Sequence, residues 1–480
     1  MEKFAFPLLL LFLFLFSNYC FAVERQYIVN FPPGQNLPPP PINKAIPVVS
    51  REPSKESTVE LTLPSAVGRA VQGNLSIKAA SWGIKIAERD VKAATAARLP
   101  VVRINAQAKD SNFGDRWLQL GQIGETLRDI NADTAGIAGI GLEVPLYVGG
   151  RLPASERLAR AGEEAARLRK KTAIQQSIFN TISAYLDVLV KNNAVKLEQK
   201  RLAQKKHEIM TAREKATERF ALKQQVLALE LEANEFRQDE LKHHNELLIA
   251  KGKLRNELGL TSSTPIDVDA RVGLVDLGYD LETLVDRARR NNLQIRLLLT
   301  QVRAAKERIG IAAADEKAQV SLAYDYYHTH PFDNPDNDFE TWEVKLQGTI
   351  KLFDGGRGHQ KRIKSIESLR KLEVELSSAR QSVELRTREA FARYREAQKR
   401  LSSLDDNIRL AREMLRFIRE RVKARVLLKD ALLKAQVDLL EAQQAKFFVQ
   451  AMLLKARATL FLLIGELGPS KVAGPSFTSL

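Results

Sequence analysis

The densest concentration of metal-binding side chains is His328-Thr329-His330, with Asp325, Asp333, Asp336 and Asp338 around it. A hairpin loop could bring imidazole and carboxylate together around a divalent ion. Such a segment more often forms a polar external cap, and the reading taken here is no metal. His243 and His244 are adjacent within a helical stretch, so they face different directions and chelate poorly. The glycines of Gly355-Gly356-Arg357-Gly358 lack phosphate-loop spacing, and a strand-to-helix turn accounts for them. Neither HExxH nor GxSxG occurs, and Cys20 is the only cysteine. With 4 Met and 6 His in the chain, a dedicated copper or silver conduit is not indicated either. The inventory calls for no enzyme and no cofactor.

Chemistry that is absent turns attention to architecture. Residues 1–22 read as a secretory signal peptide: Lys3, an apolar run from Pro7 to Phe16, then small residues ending at Ala22. The run is too short to span a bilayer. Removing it removes Cys20, so packing alone must stabilise the exported chain. Residues 23–57, containing Pro38-Pro39-Pro40-Pro41, read as a Pro-rich tether. The formal charge of +16 would suggest nucleic acid in a cytosolic protein. Export argues for a solvated basic surface with no nucleic acid, the other reading being anionic partners such as lipopolysaccharide or negatively charged cargo.

The sequence then repeats itself. Asn74, Leu75 and Ile77 recur as Asn292, Leu293 and Ile295, and Leu146 to Arg151 recurs as Leu352 to Arg357 at a slightly shorter offset. That shorter offset also sets Leu258-Gly259 on Ile464-Gly465, so the length change lies between the first helix and the second strand of each repeat. A hairpin loop, longer in repeat one, absorbs it. The domains read as repeat one over 58–260, a polar connector over 261–278, repeat two over 279–466 and a tail over 467–480.

Within each repeat a helix, from Ser57 or Glu60 to Ala97 in the first, gives way to two segments of period two. Val102, Ile104, Ala106 and Ala108 alternate with polar neighbours, as do Ala138 to Leu146, Val320 to Tyr326 and Trp342 to Leu352. Strands of about 9–11 residues with aromatic ends suit a membrane barrel. Four strands cannot close one, and three chains would supply twelve, so a homotrimer is expected. After each Gly-Gly-Arg a helical period persists for about sixty-five residues, roughly 100 Å. Leu432, Ala435, Leu439, Ala442, Val449, Leu453, Ala456 and Leu460 form a coiled-coil seam on the returning helix, interrupted by Lys446. Leu369, Leu372, Leu376, Ala379 and Val383 match it on the descending helix. The fold class is therefore mainly α with a membrane β-barrel: a trimeric twelve-stranded barrel, four strands per chain, with long α-helical coiled coils.

This doubled order resembles the TolC family of trimeric outer membrane factors. It is carried by Asn74-Leu75 and Asn292-Leu293, by the corners at Gly149-Gly150 and Gly355-Gly356, and by Ala184-Tyr185 and Ala390-Phe391. The helix ends at Leu258-Gly259 and Ile464-Gly465 add to it. The resemblance implies that the twelve-stranded barrel is continued by a long α-helical coiled-coil periplasmic tunnel, the whole forming the exit duct of a tripartite efflux pump, located in the cell outer membrane with a periplasmic helical extension. Its partners would be outer-membrane lipid, a periplasmic adaptor (membrane fusion) protein and an inner-membrane pump of RND or ABC type. A type I protein secretion exit and a non-pore periplasmic scaffold are the alternatives.

At the hairpin tips the chain departs from that pattern. Arg219, Phe220 and Ala221, and Arg425, Val426 and Leu427, stand where the family presents its adaptor-contact turns. Gln225 and Ala228, with Ala431 and Lys434, stand where it carries gate aspartates; Asp430 is displaced by one residue. Lys434, with Arg421, Lys423, Arg425 and Lys429 nearby, implies a basic entrance with weak cation preference or anion preference.

Overall fold

The structure is a computed structural model describing residues 59–110, 134–216, 220–269, 273, 277–332 and 338–469, and no side chain over 215–222. The expected signal peptide, the tether and Arg219 lie outside the described residues, as do the side chains of Phe220 and Ala221. All described residues belong to one unit, Ser57–Leu480. Chain order is β1 (Val59–Leu61), α1 (Leu63–Gly73), α2 (Leu75–Ala96), β2 (Val101–Asp110), β3 (Thr134–Val148), α3 (Arg151–Ala216) and α4 (Phe220–Leu258). Then follow β4 (Ile266–Val268), α5 (Leu281–Asn291), α6 (Leu293–Ala314), β5 (Gln319–Pro331), β6 (Phe339–Thr349), α7 (Arg357–Lys423) and α8 (Lys429–Leu463). The chain is mainly α, with a four-stranded sheet and two long helical hairpins, α3–α4 and α7–α8.

The sheet is antiparallel throughout, in the order β2-β3-β5-β6. Its register sets Ile104, Ile140, Tyr326 and Trp342 in one row across the strands, and Val102, Leu142, Tyr324 and Val344 in another. Period-two geometry puts both rows on one face. That face is bare in a single chain: Ile104 is 82% and Leu346 68% exposed. The opposite face carries the row Arg103, Gly141, Asp325 and Glu343. Arg103 donates to Glu143 at 2.6 Å on this polar face.

α3 has 66 residues and α7 has 67, matching the persistence of their helical period. Along the seam Ala435, Val449, Leu453 and Leu460 of α8 are buried, as are Leu376, Ala379 and Val383 of α7. Lys446 is accommodated within the seam by an ion pair with Asp405 of α7.

Two sequence expectations need correction, on the first helix and on the end of the last strand. The first helix is neither continuous nor begun at Ser57 or Glu60. β1 precedes it, and the helix breaks at Asn74, where ψ is 124°. The connector holds β4, which pairs in parallel with β1. The last strand ends at Thr349 although alternation runs to Leu352, because its partner β5 begins at Gln319, directly opposite Thr349.

Candidate functional site

Four places concentrate the sequence's functional residues: the sheet, the corners leading to the long helices, the belt at mid-height and the hairpin tips. In the sheet, β3 is thinned by Gly139 and Gly141. A Cβ on either would overlap Tyr327 or Asp325 of β5, so the glycines make room for larger side chains on the polar face. At the end of the sheet nearest the β5–β6 loop, His330 Nδ1 lies 2.6 Å from Asp338 Oδ1, and His328 Nε2 lies 3.6 Å from Asp338 Oδ2. Asp333 and Asp336 lie outside the described residues. Among the described residues no group of three ligands is placed to hold a metal.

At the corners Gly149, Gly150, Gly355 and Gly356 all have positive φ, between 65° and 87°. That conformation favours glycine. The turn after α6 seats both corners: Asp315 pairs with Arg151 at one and with Lys361 (3.6 Å) at the other, while Glu316 pairs with Arg362 at 3.4 Å. Asp354 accepts from the Gly358 N–H at 2.8 Å, which holds its carboxyl below the ordinary value. The Gly-Gly-Arg motif therefore positions helices.

At the belt the paired Asn residues do related work. Asn74 Oδ1 accepts from the Ser76 N–H at 2.9 Å, capping α2, while its Nδ2 donates to Glu257 of α4. Asn292 accepts from Gln294 and Ile295 and donates to the Leu463 carbonyl of α8 at 2.8 Å. Each caps the helix that follows it and ties that helix to the end of a returning one. Tyr185 is fully buried, its hydroxyl 2.9 Å from the Leu61 carbonyl and 2.8 Å from that of Asp269. Burial raises its pKa well above the ordinary phenol value. Tyr394 of α7 accepts from the Leu277 N–H at 3.2 Å. Both tyrosines thus hold the segment between the repeats. Asn-Leu recurs as a pair and Ala184-Tyr185 is matched by Ala390-Phe391, but nothing in their spacing discloses these roles, and Tyr394 lies outside both pairs.

At the tip of the second hairpin the turn runs through Ala424, Arg425, Val426, Leu427 and Leu428. Arg425 has φ +57°, the only non-glycine with positive φ among the described residues. Val426 N–H bonds back to the Arg421 carbonyl (2.9 Å) and Arg425 N–H to that of Val422 (3.1 Å), closing a Schellman cap. Val426 is exposed, Leu427 half-buried, and Arg421 lies over the Phe417 ring at 4.5 Å. Lys434, Gln225 and Ala228 are exposed in the single chain, and Ala431 is half-buried. Asp430 is engaged: its Oδ1 lies 2.7 Å from His207 Nδ1 on α3 of the other hairpin. Higher up, Arg201 of α3 bridges Glu198 and Glu441 of α8 at 2.8 and 2.7 Å. Burial raises the Glu198 pKa against the pull of Arg201.

Among the described residues no helix is long and apolar enough to cross a membrane. Solved structures share this fold. The outer membrane protein VceC of Vibrio cholerae matches with a TM-score of 0.67 at 16% identity, covering 84% of this chain and 96% of its own. The Neisseria gonorrhoeae MtrE outer membrane channel in its open state matches at 0.66 and 18%, covering 84% and 89%. The Campylobacter jejuni CmeC outer membrane channel matches at 0.68 and 16%, covering 85% and 88%. No curated protein matches the sequence. The family model for outer membrane efflux proteins matches residues 66–260 and 284–466, the two halves that carry the doubled order of elements. The chain belongs to the outer membrane efflux protein family.

Proposed function

We propose that three copies of this chain form the exit duct of a tripartite efflux pump, a passive conduit from periplasm to exterior. The observation that carries the reading is the sheet: one face apolar and bare, the other polar, with β2 and β6 as edge strands among the described residues. A lipid-facing barrel wall needs an apolar outer face, and edges persist until a barrel closes. Edge-to-edge pairing of three such sheets meets both demands at twelve strands. The helices carry matching faces. Leu227, Leu231, Leu241 and Leu248 form an exposed stripe on α4, and Leu410, Met414 and Phe417 another on α7. In this assembly they meet between copies and continue the barrel as a periplasmic tunnel.

The tips at Phe220-Ala221 and Arg425-Val426-Leu427 would receive a periplasmic adaptor, through which an inner-membrane transporter drives cargo. Lys434, with Gln225, Ala228, Asp430 and Ala431, would line the closed entrance. The main test is assembly. The detergent-extracted protein should run as a heat-modifiable trimer and give steady conductance in lipid bilayers; a monomer soluble without detergent overturns the reading. The entrance has its own test. Reversal potentials in a salt gradient should show weak cation preference or anion preference, and clear cation selectivity of the wild type would remove Lys434 from its role.

A further inference from the structure

Between the Arg201–Glu441 bridge and the tip, the two hairpins do not pack flush. α3, α7 and α8 leave a cavity of ≈ 430 Å³. Its apolar wall includes Leu415 of α7 and Leu433 and Val437 of α8, and three basic side chains line it: Lys200 and His207 of α3 and Lys429 of α8. No carboxylate lines it. Among the described residues neither Lys200 nor Lys429 has an ion-pair partner. His207 gives Nδ1 to Asp430, which leaves Nε2 as the ring nitrogen available to a ligand.

We infer that this cavity binds an amphiphilic organic anion, with an aliphatic body and a carboxylate or sulfonate head. The size lies within the range of small-molecule sites, which are mostly apolar with a few placed polar groups. Apolar surface on Leu415, Leu433 and Val437 would shed water against the body of the ligand. Lysines without carboxylate partners would supply charge-assisted hydrogen bonds to its head. A cationic amphiphile of the same shape meets Lys200 and Lys429, and the Asp430 carboxylate beside the cavity is already bonded to His207. Lys200 and Lys429 belong to different hairpins, so an occupant also links the two hairpins near the tip.

The site is tested by calorimetric titration of the full-length protein in zwitterionic nanodiscs with octanoate, octanamide and octylammonium. Lys200→Ala/Lys429→Ala serves as the matched control for partition into lipid. Both lysines are exposed, so the substitutions leave packing intact. Wild type should bind octanoate saturably, the double variant at least tenfold more weakly, and octanamide and octylammonium without saturation. The reversed pair, Lys200→Glu/Lys429→Glu, should take octylammonium in place of octanoate. Equal octanoate binding by wild type and the alanine variant overturns the inference, as does saturable octylammonium binding by wild type. Binding is read without transport, so this outcome is independent of whether the trimer conducts.

Discussion

Three long helices end in the same hydrogen-bonded cap, two at the belt and one at the tip, and the residue in the left-handed position differs. At the belt it is Gly259 and Gly465, with φ +66° and +72°; at the tip it is Arg425, with φ +57°. The reason lies in what surrounds each cap. A Cβ on Gly259 would sit 2.8 Å from the Gly73 carbonyl, and one on Gly465 would overlap the Asn291 carbonyl. There the broken first helix of each repeat presses backbone against backbone, and no side chain fits. Arg425 is exposed at the tip, so only its own conformational strain opposes it. The belt tolerates one residue type for packing reasons; the tip keeps a cation at some local cost.

Substitutions on either side test that contrast. The largest effect belongs to Gly465→Ala, which adds left-handed strain to backbone overlap and should destabilise the fold by about 3 kcal/mol, read by thermal melting of the purified protein. Asn292→Ala removes both a helix cap and the tie to Leu463. It should cost about 1–2 kcal/mol in the same melt, and an unchanged melt would show that the belt does not depend on this tie. Tyr185→Phe leaves two buried carbonyls without their shared hydroxyl. A loss of about 1 kcal/mol in denaturant unfolding is expected. Arg425→Gly is smallest and opposite in sign. Relief of about 1–2 kcal/mol of strain, less the entropy glycine adds to the unfolded chain, should stabilise the tip by about 0.5 kcal/mol. Slower amide exchange at Val426 and Leu427 would register it. Destabilisation there would mean that the Arg425 side chain contributes more than its strain costs.

Much of this architecture was legible in the sequence, because period and register are sequence properties. The alternation from Val102 to Ala108 gave a strand, and Gly149-Gly150 marked a corner where only glycine sits easily. The break at Asn74 was not legible. The apolar period resumes immediately after it, and an Asn that caps one helix while ending another leaves no gap in the pattern. β1 and β4 have three residues each, too few to show alternation. At the tip, sequence spacing relates Asp430 to the entrance alone. Its bond to His207 depends on how two hairpins far apart in sequence lie side by side, which periodicity within either does not encode.

The pairing of Val59 with Ile266 has a kinetic meaning. The first strand among the described residues cannot be paired until the segment between the repeats has been made. The Asn74–Glu257 and Asn292–Leu463 contacts impose the same delay, each joining residues well over a hundred positions apart. Such long closures slow folding. Repeat one must therefore wait, its apolar strand faces unprotected, before its first described residues find their partners.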